Sequence, residues 1–119
     1  MVFALILAAV LAQTPAKPAD VTVMKAGLGG SCSADFTVKG PDGTPIYAAM
    51  VHVKVRYGFA GVKRADLEVG TSSEGKARIE GLPDKARPLI YDIKKDEKKS
   101  EATQDVADMC HATFDVTVK

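Results

Sequence analysis

The chain has no tryptophan, only four Phe and three Tyr, two Cys and two His, and its 16 Lys+Arg nearly cancel 15 Asp+Glu, leaving a formal net charge of +1. So even a balance offers no basic stripe for tracking phosphates, and so few rings offer no base-stacking platform, which argues against nucleic acid as a partner. Two histidines leave few candidates for a general base. There is no Gly-x-Ser-x-Gly elbow, no phosphate-cradling Gly-rich loop with a lysine, and no His-Glu-x-x-His helix. The expectation is a non-catalytic protein without a cofactor. With 119 residues, 46% of them hydrophobic, the chain is one small domain, with room for one core and not for a core plus a deep cleft.

What is present begins with Phe3 to Ala12, an apolar run too short to span about 30 Å of hydrocarbon. It fits the apolar region of a secretory signal. Val10-Leu-Ala12 gives the small-x-small pattern, so cleavage is expected before Gln13, with Ala16 as a second site, although Met1 and Val2 carry no basic side chain. Residues 13–20, with Pro15 and Pro18, have linker composition. The expected division is therefore 1–12 signal, 13–20 linker and 21–119 folded domain, in a secreted or periplasmic protein with no membrane span after signal removal.

From Val21 onward the pattern has period two. Cys32, Ala34, Phe36 and Val38 alternate with polar residues, as do Val51, Val53, Val55 and Tyr57, then Leu67 and Val69, Ala77 and Ile79, Leu89, Tyr91 and Ile93, and finally Cys110, Ala112, Phe114, Val116 and Val118. Val21 to Met24 is a short leading strand. Gly40-Pro-Asp-Gly43 and Thr71-Ser-Ser-Glu-Gly75 are turn signals between strands. Lys94 to Ser100 reads as a solvated hairpin tip. Residues 101–108 suit either a strand at Thr103–Val106 or two helical turns over Glu101–Asp108. Six or seven short strands, each with one apolar face, define an all-β, immunoglobulin-like or transthyretin-like two-sheet sandwich, expected to be antiparallel.

Cys32 and Cys110 are expected to form a disulfide, because an exported chain meets an oxidising compartment. Each begins its strand, and the two strands share the pattern Cys-x-Ala-x-Phe-x-Val. Run antiparallel side by side, they would hold the cysteines about 20 Å apart, beyond the reach of a bond. The two strands must therefore run in the same direction, as parallel neighbours or aligned across the sheets. A bond closing a loop of about 79 residues is worth at most about 4 to 4.5 kcal/mol by chain entropy.

Two further features carry chemistry. Met50-Val-His52 and Met109-Cys-His111 each set a thioether and an imidazole on one face of a strand, a soft donor set suited to copper. The loop Gly58-Phe-Ala-Gly-Val-Lys-Arg64 either exposes Phe59 beside Lys63 and Arg64 as a recognition surface or tucks the ring beneath a plain connection.

The segments Val38-Lys-Gly-Pro-Asp-Gly-Thr-Pro-Ile46, Ala49-Met-Val-His-Val53 and Thr71-Ser-Ser-Glu-Gly-Lys-Ala-Arg-Ile-Glu-Gly-Leu-Pro83 resemble the carboxypeptidase regulatory-like domain, one of the transthyretin-like, prealbumin-like sandwiches. The resemblance covers about residues 34 to 95 and lies in turn and inward positions. After Leu82-Pro83 the family continues with a Gly-Tyr turn, where this chain has Asp84-Lys-Ala-Arg87. The resemblance implies an exported, non-catalytic accessory module that binds a protein or a glycan, and it carries over no functional residue. Residues and resemblance together give a binding module acting through loops or a sheet edge, with a small periplasmic copper or metal binder using the Met-x-His pairs as the alternative.

Overall fold

The computed structural model describes residues 20–119; the expected signal at 1–12, and the expected linker apart from Asp20, lie outside the described residues. Eight strands follow one another: β1 (Thr22–Lys25), β2 (Cys32–Lys39), β3 (Met50–Tyr57), β4 (Lys63–Gly70), β5 (Lys76–Leu82), β6 (Leu89–Lys95), β7 (Lys98–Gln104) and β8 (His111–Thr117). They form two four-stranded sheets, ordered β1-β5-β2-β8 and β4-β3-β6-β7. The molecule is a two-sheet all-β sandwich.

Four expectations change. There are eight strands and not six or seven, because β7, Lys-Lys-Ser-Glu-Ala-Thr-Gln, buries only its last residue fully and so has almost no apolar alternation to read. The β6–β7 hairpin tip is correspondingly short, only Asp96 and Glu97. Of the two readings of 101–108 the strand is the nearer: β7 takes in Thr103 and Gln104 but stops there, and no helical turns form. The chain turns instead, with the amides of Asp108 and Met109 donating to the Asp105 carbonyl at 3.0 and 2.8 Å. Nor is the sandwich wholly antiparallel: β1 runs parallel to β5 and β2 parallel to β8.

The β2–β8 pair follows from the two cysteine strands. They are parallel neighbours, aligned Ala34 to Ala112, Phe36 to Phe114 and Val38 to Val116. Matching inward residues thus stack on one another, and the Phe36 and Phe114 ring centroids lie 5.3 Å apart. Phe114 is half-buried, whereas Phe36 is fully buried and meets Tyr91 of the facing sheet edge-on at 4.8 Å. Cys32 and Cys110 are joined by a disulfide at the head of this pair, with their Cα atoms 4.6 Å apart.

The core takes the alternate residues of both sheets: Ala34, Phe36 and Val38 from β2 and Ala77 and Ile79 from β5 face Val51, Val53 and Val55 of β3 and Leu89, Tyr91 and Ile93 of β6. Fully burying one such aliphatic or aromatic side chain stabilises by roughly 1.5 to 3 kcal/mol. One buried polar chain crosses it. The Tyr91 hydroxyl donates to Gln104 Oε1 at 2.6 Å, and Gln104 Nε2 donates to the carbonyls of Ser33, Met109 and Cys110 at 3.1, 2.8 and 3.3 Å. Burial pushes the Tyr91 hydroxyl well above its ordinary pKa, so it stays protonated as a donor. The glutamine ties β7 to the start of β2 and the approach to β8, across the two sheets.

At the opposite end the turns close as their residues require. The Gly43 amide donates to the Gly40 carbonyl at 2.9 Å, and Asp42 accepts from the Thr44 hydroxyl and amide at 2.6 and 3.1 Å. Gly75, at φ 76°, lets the β4–β5 turn press on β2, where a Cβ would sit 2.4 Å from the Val38 carbonyl oxygen. Asp20 is held against the same turn by the hydroxyls of Ser72 and Ser73.

Candidate functional site

The β3–β4 hairpin is where the chain exposes what it elsewhere buries. Between the strands, Phe59–Gly61 form a single 3-10 turn, with the Gly61 amide donating to Gly58 and the Val62 amide to Phe59 at 3.0 and 3.2 Å. Gly58, Ala60 and Gly61 all have positive φ, and Ala60 at 55° accepts a left-handed backbone that alanine disfavours. The turn leaves Phe59 91% and Val62 68% exposed. Of the two readings of this loop, the structure has the exposed ring.

Around that apolar apex lie cations. Six of the 16 Lys+Arg residues fall within Lys54–Arg64 and Lys85–Arg87, two segments without a single Asp or Glu. Tertiary structure joins them: Ala86 bridges to Tyr57, the Arg87 amide donates to the Arg56 carbonyl at 3.1 Å, and the Arg87 guanidinium rests on Gly61, where a Cβ would lie 3.1 Å from Nε. Lys63 sits 6.0 Å from the Tyr57 ring centroid, the outer limit of a cation–π contact. Arg56 and Arg64 stand directly opposite each other across β3 and β4. The next pair along is complementary, Lys54 against Asp66, and His52 Nε2 lies 3.4 Å from Asp66 Oδ1. Neither Arg56 nor Arg64 has an ion-pair partner among the described residues. Asp84, beside Lys85, turns away to accept the Ser31 amide at 3.0 Å, 3.6 Å from Cys32 Sγ.

Two shallow troughs lie among these cations. One, of about 340 Å³, is lined by Lys54, Val55, Arg56, Arg64, Ala65 and Asp66. The other, of about 400 Å³, runs from Arg56 and Tyr57 past Ala60 and Gly61 to Lys85 and Arg87. Arg56 lies in both.

Of this cluster the sequence singles out Phe59, Lys63 and Arg64, whereas Arg56, Val62, Lys85 and Arg87 join them only in the structure. The acid-free run 54–64 was a readable signal. That 85–87 lies against it was not, because the two segments meet only through the fold.

The Met-x-His pairs are not brought together. His52 points outward from β3 and His111 outward from β8, on the two opposite outer faces of the sandwich with the core, about 10 Å thick, between them. Met50 aligns with Lys94 near the β6–β7 tip, whereas Met109 adjoins Gln104 at the other end. His111 Nδ1 is 2.8 Å from Ser33 Oγ. Among the described residues one group of three metal-capable side chains occurs, Cys32, Asp84 and Cys110, and its sulfurs are bonded to each other. Of the four edge strands, β1 has four residues, and β4 and β7 present charges that discourage strand addition, Lys63, Arg64, Asp66 and Glu68 on β4 and Lys98, Lys99 and Glu101 on β7; β8 is the fourth edge.

No family model matches the sequence, and no curated protein matches it in sequence. Solved structures match in fold. The chain is similar to the catechol 1,2-dioxygenase of Acinetobacter sp. ADP1, in a structure inhibited by bound mercury, at 14% identity and a TM-score of 0.56, covering 83% of this chain and 57% of that one. It is similar also to the catechol 1,2-dioxygenase of Pseudomonas arvilla C-1, at 11% identity and 0.56, covering 82% and 55%. The shaft pilin SpaA of Lactobacillus rhamnosus GG, as an E269A/D295N double mutant, gives 10% identity and 0.43, covering 75% and 46%. This chain therefore spans just over half the length of either dioxygenase. Likeness at such identities is a likeness of fold, the two-sheet sandwich.

Proposed function

We propose that the protein is an exported, non-catalytic accessory module of the carboxypeptidase regulatory-like kind, recognising a protein or a glycan through the β3–β4 loop. The observation that carries this reading is the apolar apex of the loop, Phe59 91% exposed on a turn that holds it outward and Val62 68% exposed beside it, since adjoining bare apolar groups rimmed by polar ones mark interaction sites. The disulfide at the head of β2 and β8 is compatible with an oxidising compartment, and no helix among the described residues is long and apolar enough to cross a membrane. With three of the four sheet edges charged or short, the loop is the better of the two routes to a partner. Arrays of purified glycans and envelope proteins, probed with the wild-type chain and with Phe59→Ala/Lys63→Ala, test the reading. Signals that disappear in the variant support it. Signals that survive in the variant overturn the loop, and an empty array overturns the binding role.

A further inference from the structure

We infer that the glycan this loop meets is polyanionic, a polysaccharide bearing carboxylate or sulfate groups, laid along the two troughs that share Arg56. The inference deepens the loop-binding reading and rests on it.

Its first support is the Arg56–Arg64 pair. Like charges directly opposite on neighbouring strands repel, and here they face each other with no acidic partner among the described residues. An anion between them removes the repulsion, and two planar guanidiniums are suited to carboxylate or sulfate oxygens. Second, the cations form a path and not a point. Lys54, Arg56 and Arg64 line one trough, and Arg56, Lys85 and Arg87 the other. A small ion would occupy one position on that path, whereas a chain with repeated charges can follow it past Phe59, whose bare face can pack on the C–H face of a sugar ring.

The shape selects among polyanions. A flat bilayer meets the apex at Phe59 and Val62 but does not follow troughs set back along the strands. An acidic peptide in extended form would gain most by adding to an open edge, and the edge that adjoins these cations, β4, carries Asp66 and Glu68, which repel it. Residues 54–64 hold one polar uncharged side chain, the Tyr57 hydroxyl. Recognition therefore reads charge along the chain more than the identity of each sugar. Asp66 at the outer margin, paired with His52, limits the path at that end.

The test is titration calorimetry of the full chain with heparin as the sulfated probe, polygalacturonate as the carboxylated one, dextran as the neutral one, polyglutamate, and phosphatidylglycerol vesicles. Both acidic polysaccharides are expected to bind, dextran is not, and affinity should fall about tenfold between ~50 and ~200 mM salt. Arg56→Ala/Arg64→Ala should weaken binding at least tenfold with an unchanged or raised Tm, while Lys94→Gln/Lys99→Gln, removing equal charge at the far hairpin, should change it less than twofold. Dextran binding as well as the acidic polymers overturns the inference and leaves the loop reading standing. Tighter binding of polyglutamate or vesicles overturns the choice of glycan, and equal losses in both double variants overturn the site. Binding of none of the five overturns the inference.

Discussion

The β4-β3-β6-β7 sheet ends in two hairpin tips at opposite ends, and they handle charge in opposite ways. At the β6–β7 tip, Lys94 stands opposite Lys99 and Lys95 opposite Lys98, but Asp96 and Glu97 make the turn, and Asp92 and Glu101 follow within the same strands. Both signs of charge are thus mixed over this tip, and no large apolar group crowns it. At the β3–β4 tip the cations have no acid within the hairpin turn or in 85–87, and Phe59 and Val62 stand bare. The foundations differ too. The basic tip and its neighbour 85–87 rest on the end holding the disulfide, the Gln104 chain and the Asp84 contact to Ser31, whereas the mixed-charge end is closed by turns. A near-neutral total thus conceals a polarised molecule, and the uncompensated tip lies at the disulfide-bonded end.

Breaking the base is expected to have the largest effect. Cys32→Ser/Cys110→Ser should lose up to about 4 kcal/mol in denaturant melts, and hydrogen exchange should rise around 84–87 well before it rises at the β6–β7 tip; uniform loss at both ends would erase the difference between them. Gln104→Ala comes next, at about 2 to 3 kcal/mol, because it strands the buried Tyr91 hydroxyl and removes the donor shared by the Ser33, Met109 and Cys110 carbonyls. Tyr91→Phe, which leaves only Gln104 Oε1 unanswered, should cost about 1 to 2 kcal/mol.

Smaller effects sharpen the contrast in charge. Relieving the arginine pair with Arg56→Ala/Arg64→Ala should raise stability by about 0.2 to 1 kcal/mol, and a melt showing clear destabilisation would mean that the pair has a structural partner. Acid should act on the Asp42 turn, whereas residues 57–63 hold no carboxyl to titrate. At the mixed-charge end the Thr44 hydroxyl and amide hold the Asp42 carboxyl below its ordinary value of 3.8. A depressed folded pKa means that the contribution is present above the unfolded value and fades as pH falls below about 4 and through the folded pKa. Amide resonances of residues 40–44 should shift there with a midpoint below that of a free aspartate, those of 57–63 should not, and Asp42→Asn should abolish the titration. The group is fully exposed, so the accompanying change in stability is small.

Alternation was enough to identify β2, β3, β5, β6 and β8, because each buries one face and a period of two is then written in apolar residues. It failed at β7, whose polar side chains leave pairing to the backbone. The shared Cys-x-Ala-x-Phe-x-Val strands fixed a common direction, since antiparallel neighbours cannot bond their first residues. Whether they were neighbours or faced each other across the core needed the fold. Phe59, Lys63 and Arg64 were legible as a loop with an aromatic and two cations, but whether the ring was bare was not, because that depends on whether neighbouring segments cover it. By itself the sequence determined the two-faced strands, the tight turns and the direction of the disulfide-linked pair, all set by local sterics and by the need to bury alternate side chains. Only the tertiary structure decided that Lys85 and Arg87 join Arg56, that the two histidines are separated by the core, and that one end of a neutral molecule carries its uncompensated charge. Those relations depend on which distant segments pack together, and side-chain period carries no record of that.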